Sequence, residues 1–149
     1  MKAPELKPGR SITVGSTAVT LAGTKYNGLG FRLPKSFDTV ARFQNSTGDK
    51  EKNGFALRAK WSSVSGPIND GAALVALFGR PANCGGDPGF FSMNEPFAYL
   101  SATQFLDVQP LQYARGDKFN LRYLLVVHGE PKSVGDLKAR YQRWETRGQ

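Results

Sequence analysis

The sequence predicts a mainly β fold, an antiparallel β-sandwich or one half of a supersandwich, closed by one C-terminal α-helix. Three observations carry this. Seventeen Gly and nine Pro are scattered between short apolar runs, which is the distribution of turns between strands and not of a disordered linker. Phe119, Leu121, Tyr123, Leu125 and Val127 fall on every second residue, and that period puts all five on one face of an extended strand. Only after Ser133 does the spacing become helical. At 149 residues, 40% of them apolar and 21% charged, one domain spanning 1–149 is expected, long enough to bury a core.

Taken in order, Ser11–Val14 and Ala18–Leu21 alternate on either side of Gly15-Ser16 and read as a hairpin. In Lys25–Pro34, Leu29, Phe31 and Leu33 alternate, and Pro34 ends the strand. Gly28 and Gly30 do not make a phosphate loop, which needs a preceding strand, a following helix and a third Gly. Val40–Phe43 is a short strand, and 45–54 is a polar loop. Phe55, Leu57, Ala59 and Trp61 then face inward, with Arg58 and Lys60 outward. A loop over 65–71 ends in the hairpin-type Asp70-Gly71.

The run Ala72–Phe78 is continuously apolar, as expected of a strand buried on both faces. The strand ending at His128 becomes apolar on both faces too, which predicts a central place in its sheet. Between Gly79 and Gly89 the pattern is least regular, and irregular loops on a rigid sheet are where binding groups concentrate. Ser133 with Asp136 three residues on approximates a capping box. Val134, Leu137, Tyr141 and Trp144 mark a helix over about 133–146, with Lys138, Arg140 and Arg143 on its solvent side.

Composition excludes several functions. A single Cys84 allows no internal disulfide framework, and one Cys with one His cannot supply the four ligands of a usual structural zinc site. An oxygen-ligand calcium site stays open, but no Asp-rich loop of the EF-hand type is present, and the expectation is no metal and no cofactor. No apolar run approaches the roughly 20 residues that span a bilayer. The start, Met1–Pro8, has no apolar core of a signal peptide. This implies a cytoplasmic protein as the chain stands, or a periplasmic one if its natural start is missing. The net charge of +8 points to anionic partners. No recognition-helix or RNP-like pattern accompanies it, so specific nucleic-acid binding is not expected.

Several stretches together resemble a known family: Tyr26 with Gly28–Arg32, Ala59-Lys60-Trp61, Leu74–Phe78 with Arg80–Asn83, Pro96–Thr103, Pro110-Leu111, Leu121-Arg122-Tyr123 and Val126–Gly129. Their order and spacing over roughly residues 20–145 are similar to the C-terminal half of bacterial PmoA-family proteins, which carry a methane oxygenase label. The resemblance implies a β-rich sandwich and, from the company such proteins keep, carbohydrate metabolism. The chain departs from that pattern in having Gly79-Arg80 where many members have an Asp-His pair, and Tyr26-Asn27 where an acidic residue is usual. Members are also typically about twice as long. An oxygenase is disfavoured, since one His and one Cys cannot build a copper or iron centre of the usual kind.

His128, the only histidine, is the candidate acid–base, with Glu130, Asp107 or Ser101 as possible partners. The twelve acidic residues show no pair of the glycosidase kind. The aromatics Tyr26, Trp61, Phe90, Phe91 and Tyr99 are either core or a sugar-stacking platform, with Arg32, Arg80 and Asn83 as polar anchors. The resulting expectation is a binding site for a carbohydrate or other polar or anionic ligand, built from Arg32, Arg80, Asn83, Phe90, Phe91 and Tyr99, without catalysis. A sugar-active enzyme, or the remnant of one, using His128 is the alternative. In this reading Arg80 and Asn83 stand at the rim of a concave surface walled by Phe90 or Phe91. Arg80→Ala is then expected to weaken binding while leaving the melting temperature nearly unchanged.

Overall fold

The computed structural model describes residues 12–48, 57–83 and 86–147. The sequence expectations for Ser11, Phe55, the loop over 49–54 and Cys84 lie outside these residues. The strands are β1 (Ile12–Thr13), β2 (Val19–Leu21), β3 (Gly28–Arg32), β4 (Arg42–Asn45), β5 (Leu57–Arg58), β6 (Trp61–Ile68), β7 (Gly71–Gly79), β8 (Gly89–Met93), β9 (Tyr99–Thr103), β10 (Leu111–Tyr113), β11 (Lys118–Phe119) and β12 (Tyr123–His128). A 3-10 turn covers Lys35–Phe37, and one helix, α1, covers Val134–Thr146. All strand pairings are antiparallel. The fold is mainly β with one C-terminal helix, as the sequence predicts.

Two four-stranded sheets, ordered β3-β9-β8-β5 and β12-β7-β6-β4, carry the structure. Phe90, Leu100 and Ala102 of the first meet Val64, Ala73 and Leu77 of the second, with Leu33 and Phe37 filling the same core. The other face of the second sheet presents Trp61, Leu74, Ala76, Phe78 and Val126 to Leu137 and Tyr141 of α1. The order of layers is therefore sheet, sheet, helix. This explains why β7 is apolar throughout: alternate residues serve the sandwich and the helix.

The expected helix is present with its cap. Ser133 Oγ accepts from the Asp136 amide (3.1 Å), and the Asp136 carboxylate accepts from the Ser133 amide (3.2 Å), so two otherwise orphaned donors are satisfied reciprocally.

Four expectations need correction. β1 and β2 do not form a hairpin together; β1 pairs with β11 and β2 with β10. The predicted loop over 65–71 is mostly strand, because β6 runs to Ile68 and turns through Asn69-Asp70 alone. Its Gly66 serves packing, since a Cβ there would meet the Phe37 ring at 2.7 Å. The alternating stretch to Trp61 is two strands: β5 lies in one sheet, and Trp61 opens β6 in the other.

β12, lastly, is not central but lies at the edge of its sheet. Its buried face is the one carrying Leu124 and Val126: Val126 is 2% exposed, whereas Leu125 is 42% and Val127 65% exposed. The helix decides this. It covers the Leu124–Val126 side of the strand, while Leu125 and Val127 face the sandwich side beyond the reach of the first sheet's core.

Candidate functional site

α1 lies antiparallel to the strand that feeds it, and half of the residues lining the cleft between them are Arg or Lys. On the helix, Asp136, Arg140, Arg143 and Arg147 recur at intervals of four, three and four residues, which stacks them on one flank. Leu137, Tyr141 and Trp144 turn towards the sheet. On the facing strand and its approach, Arg122, Leu124, Val126 and His128 share one face by the period of two. Because β12 is the last strand of its sheet among the described residues, the cleft opens at the sheet edge.

Two hollows follow this cleft. One, of about 260 Å³, is lined by Arg80, Arg122, Leu124, Arg140, Arg143, Trp144 and Arg147. The second, of about 270 Å³, is bordered by His128, Lys132, Asp136, Leu137, Ala139, Arg140 and Arg143. Arg140 and Arg143 belong to both.

Arg80, at the end of β7, is only 8% exposed. Its two terminal nitrogens donate to the carbonyls of Glu145 (2.5 Å) and Trp144 (2.9 Å), which are among the last-turn carbonyls a helix leaves unpaired. The guanidinium also lies 4.7 Å from the centre of the Trp144 ring. Its Nε–H, like that of Arg140, is buried without a hydrogen-bond partner. Among the described residues no carboxylate pairs with Arg80, Arg140, Arg143 or Arg147.

Asn83 is fully used by the scaffold. Its amide donates to the Arg122 carbonyl (3.2 Å) and accepts from the Arg122 amide (2.6 Å), while the Arg80 amide donates to the same carbonyl (3.1 Å). Arg80 and Asn83 are thus brought together around Arg122. Phe90, however, lies in the core between the sheets, and Phe91 lies on the outer face of the first sheet. The rim-and-wall arrangement expected of these four residues is not formed.

Phe91, Tyr99 and Arg32 gather elsewhere. Tyr26 meets Phe91 at 5.2 Å and Tyr99 at 5.9 Å between ring centres, and Tyr99 meets Phe97 at 6.3 Å. Arg32 stands over Phe97 at 4.3 Å and Lys25 over Phe91 at 4.8 Å. Each cation already has an aromatic face, and this cluster closes over the sheet, leaving Phe91 2% exposed.

A family model described as a family of unknown function, DUF6807, matches residues 10–142. The chain belongs to that family. Its match takes in both sheets and most of α1, and Arg143, Trp144 and Arg147 follow its end. Nothing in it links the chain to PmoA or to an oxygenase. No curated protein and no solved structure matches the chain. Among the described residues no group of three or more His, Cys, Asp or Glu side chains is placed to hold a metal ion, and no helix is long and apolar enough to cross a membrane.

His128 stands at the far end of the cleft. Burial, then the charges of Arg140 and Lys132, hold its imidazole below the ordinary histidine range, against the opposing pull of Glu130 and Asp136. Glu130 is itself engaged by Lys132. Sequence reading missed Arg122, Lys132 and Arg147 and placed Arg140 on the solvent side. Arg140 is half-buried, because the helix flank carrying it leans on β12. The usable signal was the three-and-four spacing of Arg140, Arg143 and Arg147.

Proposed function

We propose that the protein binds an anionic carbohydrate in the arginine cleft and does not transform it. One observation carries this reading: the side chains of Arg80, Arg122, Arg140, Arg143 and Arg147 line one hollow, and among the described residues no carboxylate pairs with Arg80, Arg140, Arg143 or Arg147. Like charges gathered in one hollow repel one another, and an anion in the cleft offsets that repulsion. A planar guanidinium fork matches a carboxylate or sulfate with two parallel hydrogen bonds. The choice of a sugar rests on the resemblance to PmoA-family proteins and their association with carbohydrate metabolism.

Arg143 is the clean probe, being exposed and outside the core. Arg143→Ala should weaken binding of an oligouronate by roughly tenfold or more, the worth of a charge-assisted hydrogen bond of about 1.5–3 kcal/mol, with the thermal midpoint unchanged. A glycan array followed by calorimetry checks it. The reading fails if wild type binds no acidic glycan, or if the variant binds as well as wild type.

The same cleft should take up a proton on binding. An anion offsets the Arg140 and Lys132 charges that depress His128, so the imidazole is more basic in the complex than in the free protein. Affinity therefore rises as pH falls through the complexed value and levels off below the free one, within the window of about pH 5–8 where histidine titrates. Calorimetry in buffers of different ionisation enthalpy should show proton uptake in wild type and none in His128→Gln.

His128 in the second hollow is also the observation that favours the enzymatic alternative. The described residues give its ring no side-chain hydrogen bond to orient it. Glycoside turnover that disappears in His128→Ala would establish that alternative.

A further inference from the structure

The two hollows share Arg140 and Arg143 but are otherwise lined by different residues, and they follow one another along the helix. Arg122 and His128, which mark their far ends on the strand side, stand six residues apart on nearly extended chain, roughly 20 Å. Asp136 and Arg147 mark them on the helix side, roughly 16 Å apart at the helical rise. A single anionic group fills only one hollow. The cations do not converge on one point, as they would for a lone carboxylate or phosphate, but are strung along this length: Arg147, Arg80 and Arg122 at one end, Arg143 and Arg140 in the middle, Lys132 at the other.

Resting on the carbohydrate-binding reading above, we propose that the ligand is a linear polyanionic polysaccharide, with acidic groups on successive sugars, that lies along the cleft and engages both hollows at once. Nucleic acid is the competing linear polyanion. Binding of its single strands relies on aromatic faces beside the charged track, on which bases stack. Besides the His128 imidazole, the aromatic side chain in the lining is Trp144, which has Arg80 over its ring and contacts Phe78 and Tyr141, so it offers no platform for a base. The apolar contributions, from Leu124, Leu137 and Ala139, are small and aliphatic, which suits a chain without planar bases.

The test is a length series of oligogalacturonates, from monomer to hexamer, measured by calorimetry on the full chain with Lys132→Ala and Arg147→Ala beside wild type. Affinity should rise at least tenfold once the chain reaches both hollows. Lys132→Ala should lower the affinity of the hexamer about tenfold and leave the monomer unchanged, whereas Arg147→Ala should lower both. A heparin-derived hexasaccharide that reproduces this length and variant pattern supports the proposal with sulfate in place of carboxylate as the charged group. Equal affinity for monomer and hexamer, with Lys132→Ala neutral, overturns the two-hollow proposal and leaves the arginine cleft as an anion site. Failure of every acidic saccharide to bind, with Arg143→Ala neutral for any ligand found, overturns the cleft reading itself. A single-stranded oligonucleotide that binds more tightly than the hexamer and loses affinity in the same variants overturns the assignment to saccharide.

Discussion

Trp61→Ala should lower the unfolding free energy by roughly 3–5 kcal/mol, the usual range for truncating a large buried aromatic. Trp61 is 1% exposed and lies in the layer between the second sheet and α1, with Leu74, Phe78, Val126, Leu137 and Tyr141. Removing the indole leaves a void that the neighbouring strand cannot close, because β6 is held on both sides by β4 and β7. For a chain of this size the thermal midpoint should fall by roughly 10 °C or more. The helix should suffer first: thirteen residues are marginal as an isolated helix, so α1 depends on docking. The remaining Trp144 is then a reporter, since its emission should shift to longer wavelength as α1 loosens. Leu125→Ala, on the exposed face of β12, is the control and should be nearly neutral. A loss below about 1 kcal/mol for Trp61→Ala would mean that the helix does not pack where the structure puts it.

Arg80→Ala should cost roughly 2–3 kcal/mol of stability and lower the midpoint by about 5–10 °C. This is the opposite of what the sequence leads one to expect, because in the structure the side chain is a fastener. It joins the end of β7 to the carbonyls of Trp144 and Glu145 and places its positive charge at the negative end of α1. It also covers the Trp144 ring, a cation–aromatic contact worth up to about 2 kcal/mol when desolvated. Arg80→Lys should be intermediate, since an ammonium cannot serve two carbonyls and lie flat on the ring together. The unfolding midpoints of the three proteins check the order. If Arg80→Ala melts with wild type, the capping role is refuted. Because the substitution disturbs the helix end, any loss of ligand binding in Arg80→Ala is ambiguous, and exposed Arg143 is the better place to read the cleft.

The adjacent Tyr141 illustrates the same junction. Its hydroxyl donates to the Glu145 carboxylate (3.0 Å) and lies 3.3 Å from the Gly79 carbonyl. Burial first, then the Glu145 hydrogen bond and charge, push its pKa well above the ordinary phenol value. The end of β7, the end of α1 and the floor of the cleft are therefore one connected piece of structure.

By itself the sequence determined what is local. Scattered Gly and Pro with period-two runs specify strands, and Ser133 with Asp136 specifies where the helix begins, because alternation and capping are set by neighbours a few residues apart. The double-sided burial of β7 was legible for the same reason: an unbroken apolar run records two covers without saying what they are. The identical inference failed for β12. Its apolar residues on both faces record one cover by the helix and one face left bare at the sheet edge, and only strand order tells these apart. The candidate site was least legible. Arg80 reaches carbonyls 64 and 65 residues away, and Phe90 and Phe91, adjacent in the chain, fall on opposite faces of one strand. Which cations share a cleft depends on which elements pack side by side, and that is decided by burying Trp61, Phe78 and Tyr141 together, not by any spacing along the chain.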